Sequence, residues 1–131
     1  MRIMLVEDHK ATRAEMRALI EREADMTVVA EADTGEEGVD RARAERPDIV
    51  VMDILLPGMN GIEAARKILA TQPEVRVLAL SNHFGDSLVQ AILEAGGLGY
   101  VRKSRAFEEL IPALRSVAAG EPYVSGGPAV R

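Results

Sequence analysis

A chain of 131 residues, 47% hydrophobic and 28% charged, suits one soluble domain that buries about two-thirds of its unfolded surface. A net charge of −5 with no run of Lys/Arg argues against a domain that grips nucleic acid itself, and 3% aromatic residues leave little for stacking a flavin or a base. The absence of cysteine excludes disulfides and thiolate metal sites and fits a reducing cytoplasm, and no apolar run approaches the ~20 residues that span a bilayer.

Short apolar runs alternate with helix-length amphipathic segments, the pattern of βα units and a parallel sheet. Residues 3–6 read as a first strand ending in Glu7-Asp8, too short an apolar start for a signal peptide. Thr12, Met16, Leu19 and Ile20 then recur at helical spacing. Residues 27–32 read as a second strand. Thr34 and Glu37 form a capping-box pattern for a helix that stops before Pro47. The run 49–52 is apolar throughout, as in a strand buried on both faces, and ends in Asp53.

Pro57-Gly58 and Asn60-Gly61 are turn signals. The helix after them carries Ile62, Ala65, Ile68 and Leu69 on one face and is broken by Pro73. Residues 75–80 form the fourth expected strand, ending in Ser81. A helix from about Asp86 carries Leu88, Val89, Ile92 and Leu93, and Gly96-Gly97 ends it. Residues 98–102 form the fifth expected strand, ending in Lys103. The last helix, about 105–119, turns Phe107, Leu110, Leu114 and Val117 inward, with a bend expected at Pro112. The tail 120–131, rich in Gly and Pro, reads as a linker or frayed end.

The pattern predicts a five-stranded parallel sheet of order 2-1-3-4-5 with five helices on its two faces. Such sheets bind ligands beyond the carboxyl ends of their strands, at the point where strand order reverses. Here that point gathers Glu7, Asp8, Asp53, Ser81 and Lys103. Singly, these residues read as caps, turn formers or surface groups, and Tyr100 as an ordinary strand aromatic; jointly they read as one site. Three carboxylates in close quarters repel unless a cation joins them. Mg²⁺ suits such oxygen donors and keeps places for phosphate. An Asp beside it can attack phosphorus, with Lys103 neutralising one phosphoryl oxygen and Ser81 bonding another. His9 and His83 read as incidental, since neither has a second His at helical spacing.

The stretches MRIMLVEDH, PDIVVMDILLPGMNGIEA, VLALS and EAGGLGYVRKS resemble the receiver domain of bacterial two-component response regulators over residues 1 to about 120. GYVRKS and a helix ending VAAGEPYVS look most like the NarL/LuxR type, whose receivers precede a helix-turn-helix DNA-binding domain. The resemblance implies a flavodoxin-like (βα)5 three-layer sandwich. It also implies a receiver at 1–120 and a linker at 121–131 leading to that second domain, and Gly120-Glu121-Pro122 favours a domain cut from a longer protein.

By the same resemblance Asp53 is the phosphoacceptor. Glu7, Asp8, Asp53 and the Leu55 carbonyl bind Mg²⁺, Lys103 contacts the phosphate, and Ser81 and Tyr100 form the switch, with Tyr100 turning inward on phosphorylation. The implied partners are a sensor histidine kinase and a second copy of the chain, with DNA met only through another domain; the implied location is the cytoplasm. The implied catalysis is limited to the domain's own phosphotransfer and dephosphorylation. Ser104 departs from the family's usual Pro, which often follows a cis bond. Leu55 and His83 occupy positions that tune dephosphorylation, and an apolar Leu55 implies a long-lived phosphoryl group.

Other readings fit less well. A haloacid-dehalogenase-type phosphatase needs Asp-x-Asp after its first strand, and a flavodoxin-like carrier needs a hydroxyl-rich loop where this chain has Glu7-Asp8-His9-Lys10. A partner-binding pseudo-receiver is expected to lack Asp53 or Lys103, and both are present.

Overall fold

The computed structural model describes residues 1–82 and 85–125, apart from the side chain of Asp86. His83 and positions 126–131, on which two of the expectations above fall, lie outside the described residues. In chain order the elements are β1 (Arg2–Val6), α1 (Lys10–Glu21), β2 (Thr27–Ala32), α2 (Gly35–Glu45), β3 (Ile49–Asp53), α3 (Gly61–Thr71), β4 (Arg76–Ser81), α4 (Asp86–Glu94) and β5 (Gly99–Arg102). A 3₁₀ turn (Lys103–Arg105), α5 (Ala106–Ala118) and β6 (Tyr123–Val124) complete them. All strands are parallel, in the order β2-β1-β3-β4-β5-β6.

β3 lies between β1 and β4 and is at most 2% exposed at every position, as its unbroken apolar run requires. Alternation along the strands divides the core by faces. Ile3, Leu5, Ile49 and Val51 pack with Ile20 of α1 and Leu114 of α5. Met4, Val6, Val50 and Met52 pack with Ala42 of α2 and Ile68 of α3. A smaller cluster joins Ile54, Ala79, Tyr100 and Ile92 of α4.

Local signals act as their chemistry dictates. Thr34 caps α2 by accepting from Glu37 N–H at 3.1 Å, while the Glu37 carboxylate reaches one residue further back than in a capping box, to Asp33 N–H at 2.9 Å. Asn60 caps α3 by accepting from Glu63 N–H at 2.9 Å. Gly61 does more than turn the chain. A Cβ there would lie 2.1 Å from the Asp53 carbonyl oxygen, so only glycine lets α3 start against the end of β3.

Two features differ from the sequence reading. Tyr123–Val124 is a sixth strand on β5 rather than linker, because the chain doubles back after α5 and finds an open sheet edge. Phe107 is 75% exposed, not inward. It stands in the first turn of α5, on the rim of an α1–α5 groove shared with Met16 and Leu19, while the buried face of α5 begins at Leu110. Leu93 is also exposed, on the last turn of α4. α5 continues through Pro112, and no cis peptide bond occurs among the described residues, the Lys103–Ser104 bond included.

Candidate functional site

The site forms where β1, β3 and β5 end. Glu7 follows β1 and is fully buried, its N–H donating to Ala32 of β2 at 3.0 Å. Asp53 ends β3 and is 2% exposed. Lys103 follows β5 and turns its ammonium between them, 2.8 Å from Glu7 Oε1 and 2.9 Å from Asp53 Oδ2. The other Asp53 oxygen accepts from Leu55 N–H at 3.2 Å. The Leu55 side chain projects outward and is mostly exposed.

The charges respond to this packing. Burial alone would raise Glu7, but bonds from Lys103 and His9 outweigh it and hold its carboxyl below the ordinary range. Burial, reinforced by the Glu7 charge, pushes Asp53 up against the opposing pull of Lys103 and the Leu55 N–H. Lys103 is raised: burial works against its charge, and the two carboxylates more than compensate. One ammonium thus serves two buried acids and leaves an excess of negative charge.

Asp8 is the more open acid. Its Oδ1 is buried without a hydrogen-bond partner, 3.5 Å from His9 Nδ1. His9, read from sequence as incidental, bonds Glu7 Oε2 through its N–H at 3.1 Å and lies 3.2 Å from the same oxygen through Nδ1. Glu7, Asp8 and His9 each offer a ligand atom within 4.8 Å of the others; Asp53 stands outside that group, tied to Lys103.

Ser81 ends β4 and is fully buried. Its hydroxyl shares a hydrogen bond with Tyr100 on the neighbouring strand. The sequence reading has Tyr100 turn inward on phosphorylation. Here it already lies inward, 1% exposed among Ile54, Ala79 and Ile92, held by that cluster and by Ser81. Burial raises its phenol, with Ser81 opposing.

Two residues that matter escaped the sequence reading. Arg13, on the first turns of α1, donates through Nη1 to the Glu7 carbonyl at 2.6 Å and through Nε to Glu31 Oε1 at 2.7 Å, and also pairs with Asp33. It ties the acidic turn to β2. The alternating acids Glu31 and Asp33 at the end of β2 are its sequence trace. Gly61, noted only as a turn residue, sets the approach of α3 to Asp53.

Buried acids and one shared ammonium thus meet at the switch point of a doubly wound parallel sheet, in a small α/β domain. Residues 3–115 match the response regulator receiver domain, and the chain belongs to that family.

Among curated relatives, it is 37% identical over 123 residues to the response regulator UvrY of Escherichia coli (strain K12), covering 94% of this chain and 56% of that protein. It is 36% identical over 124 residues to the response regulator GacA of Pseudomonas viridiflava, covering 95% and 58%. The chain therefore spans just over half the length of these relatives. A two-component response regulator of the LuxR family from Aurantimonas sp. SI85-9A1 superposes with a TM-score of 0.92 at 43% identity, over 95% of this chain and 89% of that one. The signal receiver domain of NarL from Mycobacterium tuberculosis gives 0.87 at 28%, over 92% and 97%. These likenesses group the chain with NarL/LuxR-type receivers. Among the described residues no helix is long and apolar enough to cross a membrane.

Proposed function

We propose that this receiver takes a phosphoryl group from a sensor histidine kinase onto Asp53, and that the phosphorylated state is the active one. One observation carries the reading: a buried Asp at the end of β3 shares its oxygens between a lysine ammonium and a backbone N–H, next to two further carboxylates. A carboxylate so placed is fixed in orientation and aimed out of the sheet.

The donor set fits Mg²⁺, since it is rich in carboxylate oxygen and Asp8 Oδ1 is buried with no hydrogen-bond partner. Glu7, Asp8, Asp53 and the Leu55 carbonyl would hold the ion. Bound there, it would neutralise the acids and the oxygens of an incoming phosphoryl group.

The remaining steps belong to the chain. An Asp53 oxygen attacks the phosphorus of a phosphohistidine in line. The new P–O bond forms as the P–N bond breaks, and the imidazole leaves with the electron pair. Lys103 exchanges Asp53 Oδ2 for a phosphoryl oxygen, and Ser81 donates its proton to another. The group adds a charge of about −1.5 to −2 beside Ser81 and Tyr100, which biases the face built by α4, β5 and α5 toward a second arrangement. That face, or α1 with α5, would pair two copies. The likeness to a LuxR-family regulator supports transcription control through a separate helix-turn-helix domain as the output. The exposed, apolar Leu55 cannot orient water for attack on the acyl phosphate, which favours a lasting active state.

Intact mass after incubation with acetyl phosphate tests the reading. The expected result is one phosphate adduct on the wild type with Mg²⁺, lost without Mg²⁺ and absent from Asp53→Asn. Folded protein that binds Mg²⁺ and takes no adduct would point instead to a partner-binding pseudo-receiver.

A further inference from the structure

Every polar group of Glu7 is held. Its N–H donates to Ala32 of β2 at 3.0 Å. Its Oε1 meets the Lys103 ammonium at 2.8 Å, and its Oε2 accepts from His9 N–H at 3.1 Å. Its carbonyl accepts from Arg13 Nη1 at 2.6 Å. Asp8 is held differently. Its Oδ1 is buried without a hydrogen-bond partner, so the direction of this carboxylate rests on the backbone that carries it. A peptide unit is planar, and a bond to the Glu7 carbonyl therefore also fixes the unit that leads into Asp8.

The donor of that bond is itself anchored. Arg13 stands one turn into α1, where its N–H donates to the His9 carbonyl at 2.9 Å. Its side chain is 13% exposed. Nε donates to Glu31 Oε1 at 2.7 Å, and Nη1 also pairs with Asp33. A guanidinium is a rigid planar fork, so two carboxylates at the end of β2 fix the direction in which it meets the Glu7 carbonyl. They also offset its charge beside a site meant for a cation.

We infer that Arg13 is a positioning residue for Mg²⁺: by pinning the Glu7 carbonyl it presents the Asp8 carboxylate to the ion. This rests on the Mg²⁺ site proposed above. The sign of the effect separates positioning from charge. If charge alone mattered, removing a cationic side chain near an acidic site would tighten Mg²⁺ binding. Removing the pin loosens it, since groups that orient metal ligands typically govern affinity by about 10–100-fold. Arg17 is the control. It pairs with Glu21 and Glu31 in the same cluster, one helical turn further from Glu7.

Titration of the whole chain with MgCl₂, followed by the amide NMR shift of Asp8, tests the inference; acetyl phosphate labelling is read by intact mass on the same proteins. Arg13→Gln is expected to bind Mg²⁺ about tenfold more weakly. Arg17→Gln, which removes the same charge, is expected to bind it as the wild type does or more tightly. At saturating Mg²⁺ the labelling rate of Arg13→Gln returns close to that of the wild type, because Asp53 and Lys103 keep their contacts. Arg13→Lys keeps the charge without the fork and is expected to fall between Arg13→Gln and the wild type; it decides the matter if Arg13→Gln does not fold. Affinity in the Arg13 variants equal to or above that of the wild type overturns the positioning role and leaves the phosphoacceptor reading standing. A labelling rate that stays low at saturating Mg²⁺ also overturns it, since Arg13 would then act on Asp53 rather than on the ion. Wild-type protein that binds Mg²⁺ and takes no adduct overturns only the phosphoacceptor reading, and wild-type protein that binds no Mg²⁺ overturns both.

Discussion

Lys103 stands between two buried carboxylates that would otherwise face each other across the mouth of the sheet. Substituting it leaves Glu7 and Asp53 without their shared counter-ion. Breaking a buried pair in this way typically costs about 3–5 kcal/mol. Lys103→Met is therefore expected to lower stability by about 3 kcal/mol in urea unfolding, with Mg²⁺ restoring part of it by replacing the missing positive charge. A loss below about 0.5 kcal/mol would place the ammonium in the solvent-exposed class of ion pairs. The same lysine was visible in sequence because it closes an apolar strand, as were Glu7, Asp8, Asp53 and Ser81. Arg13 was not visible. Its partners Glu31 and Asp33 lie a loop and a strand away, and only the sheet brings them to it.

Between elements, two contacts decide how the site is held. α3 meets the end of β3 through Gly61, where a methyl group would collide with the Asp53 carbonyl. Backbone cannot yield as a flexible side chain can, so Gly61→Ala is expected to cost about 1–3 kcal/mol and to displace Asp53. The phosphorylation rate should fall more than tenfold, and a stable variant with the wild-type rate would contradict the contact. α1 meets β2 through Arg13 and Arg17, which both pair with Glu31. Burial works against the Glu31 charge, but the two guanidinium groups outweigh it and hold its carboxyl below its ordinary 4.5.

A depressed acid adds stability that is complete above its unfolded pKa and is lost as pH falls through the folded one. Wild-type stability should therefore decline below about pH 4.5 more steeply than that of Glu31→Gln, as read by melting temperature against pH. Parallel slopes would remove Glu31 from the account. β6 and Phe107 show where sequence reading of elements failed. Tyr123–Val124 is two residues long and carries no periodicity, and Phe107 precedes the buried stripe of α5 by less than one turn.

Taken together, the fold needs few sequence signals. An apolar central strand, short turns and five amphipathic helices favour an arrangement that buries most of the apolar side chains and aligns the strand ends at a single mouth. The gathering of Glu7, Asp53 and Lys103 was legible for that reason, whereas the orientation of Tyr100 was not. Whether Tyr100 points in or out depends on packing among Ile54, Ala79 and Ile92 and on the Ser81 hydroxyl, all set by tertiary structure. The most direct measurement asks which atom takes the phosphoryl group. The protein is treated with acetyl phosphate and Mg²⁺ and reduced with borohydride, which converts an aspartyl phosphate to homoserine, and its peptides are mapped by mass. Homoserine at position 53 alone is the expected result. Homoserine at Glu7 or Asp8 is impossible for the first and would mark a misplaced acceptor for the second, and phosphorylated protein with Asp53 unmodified would contradict the account.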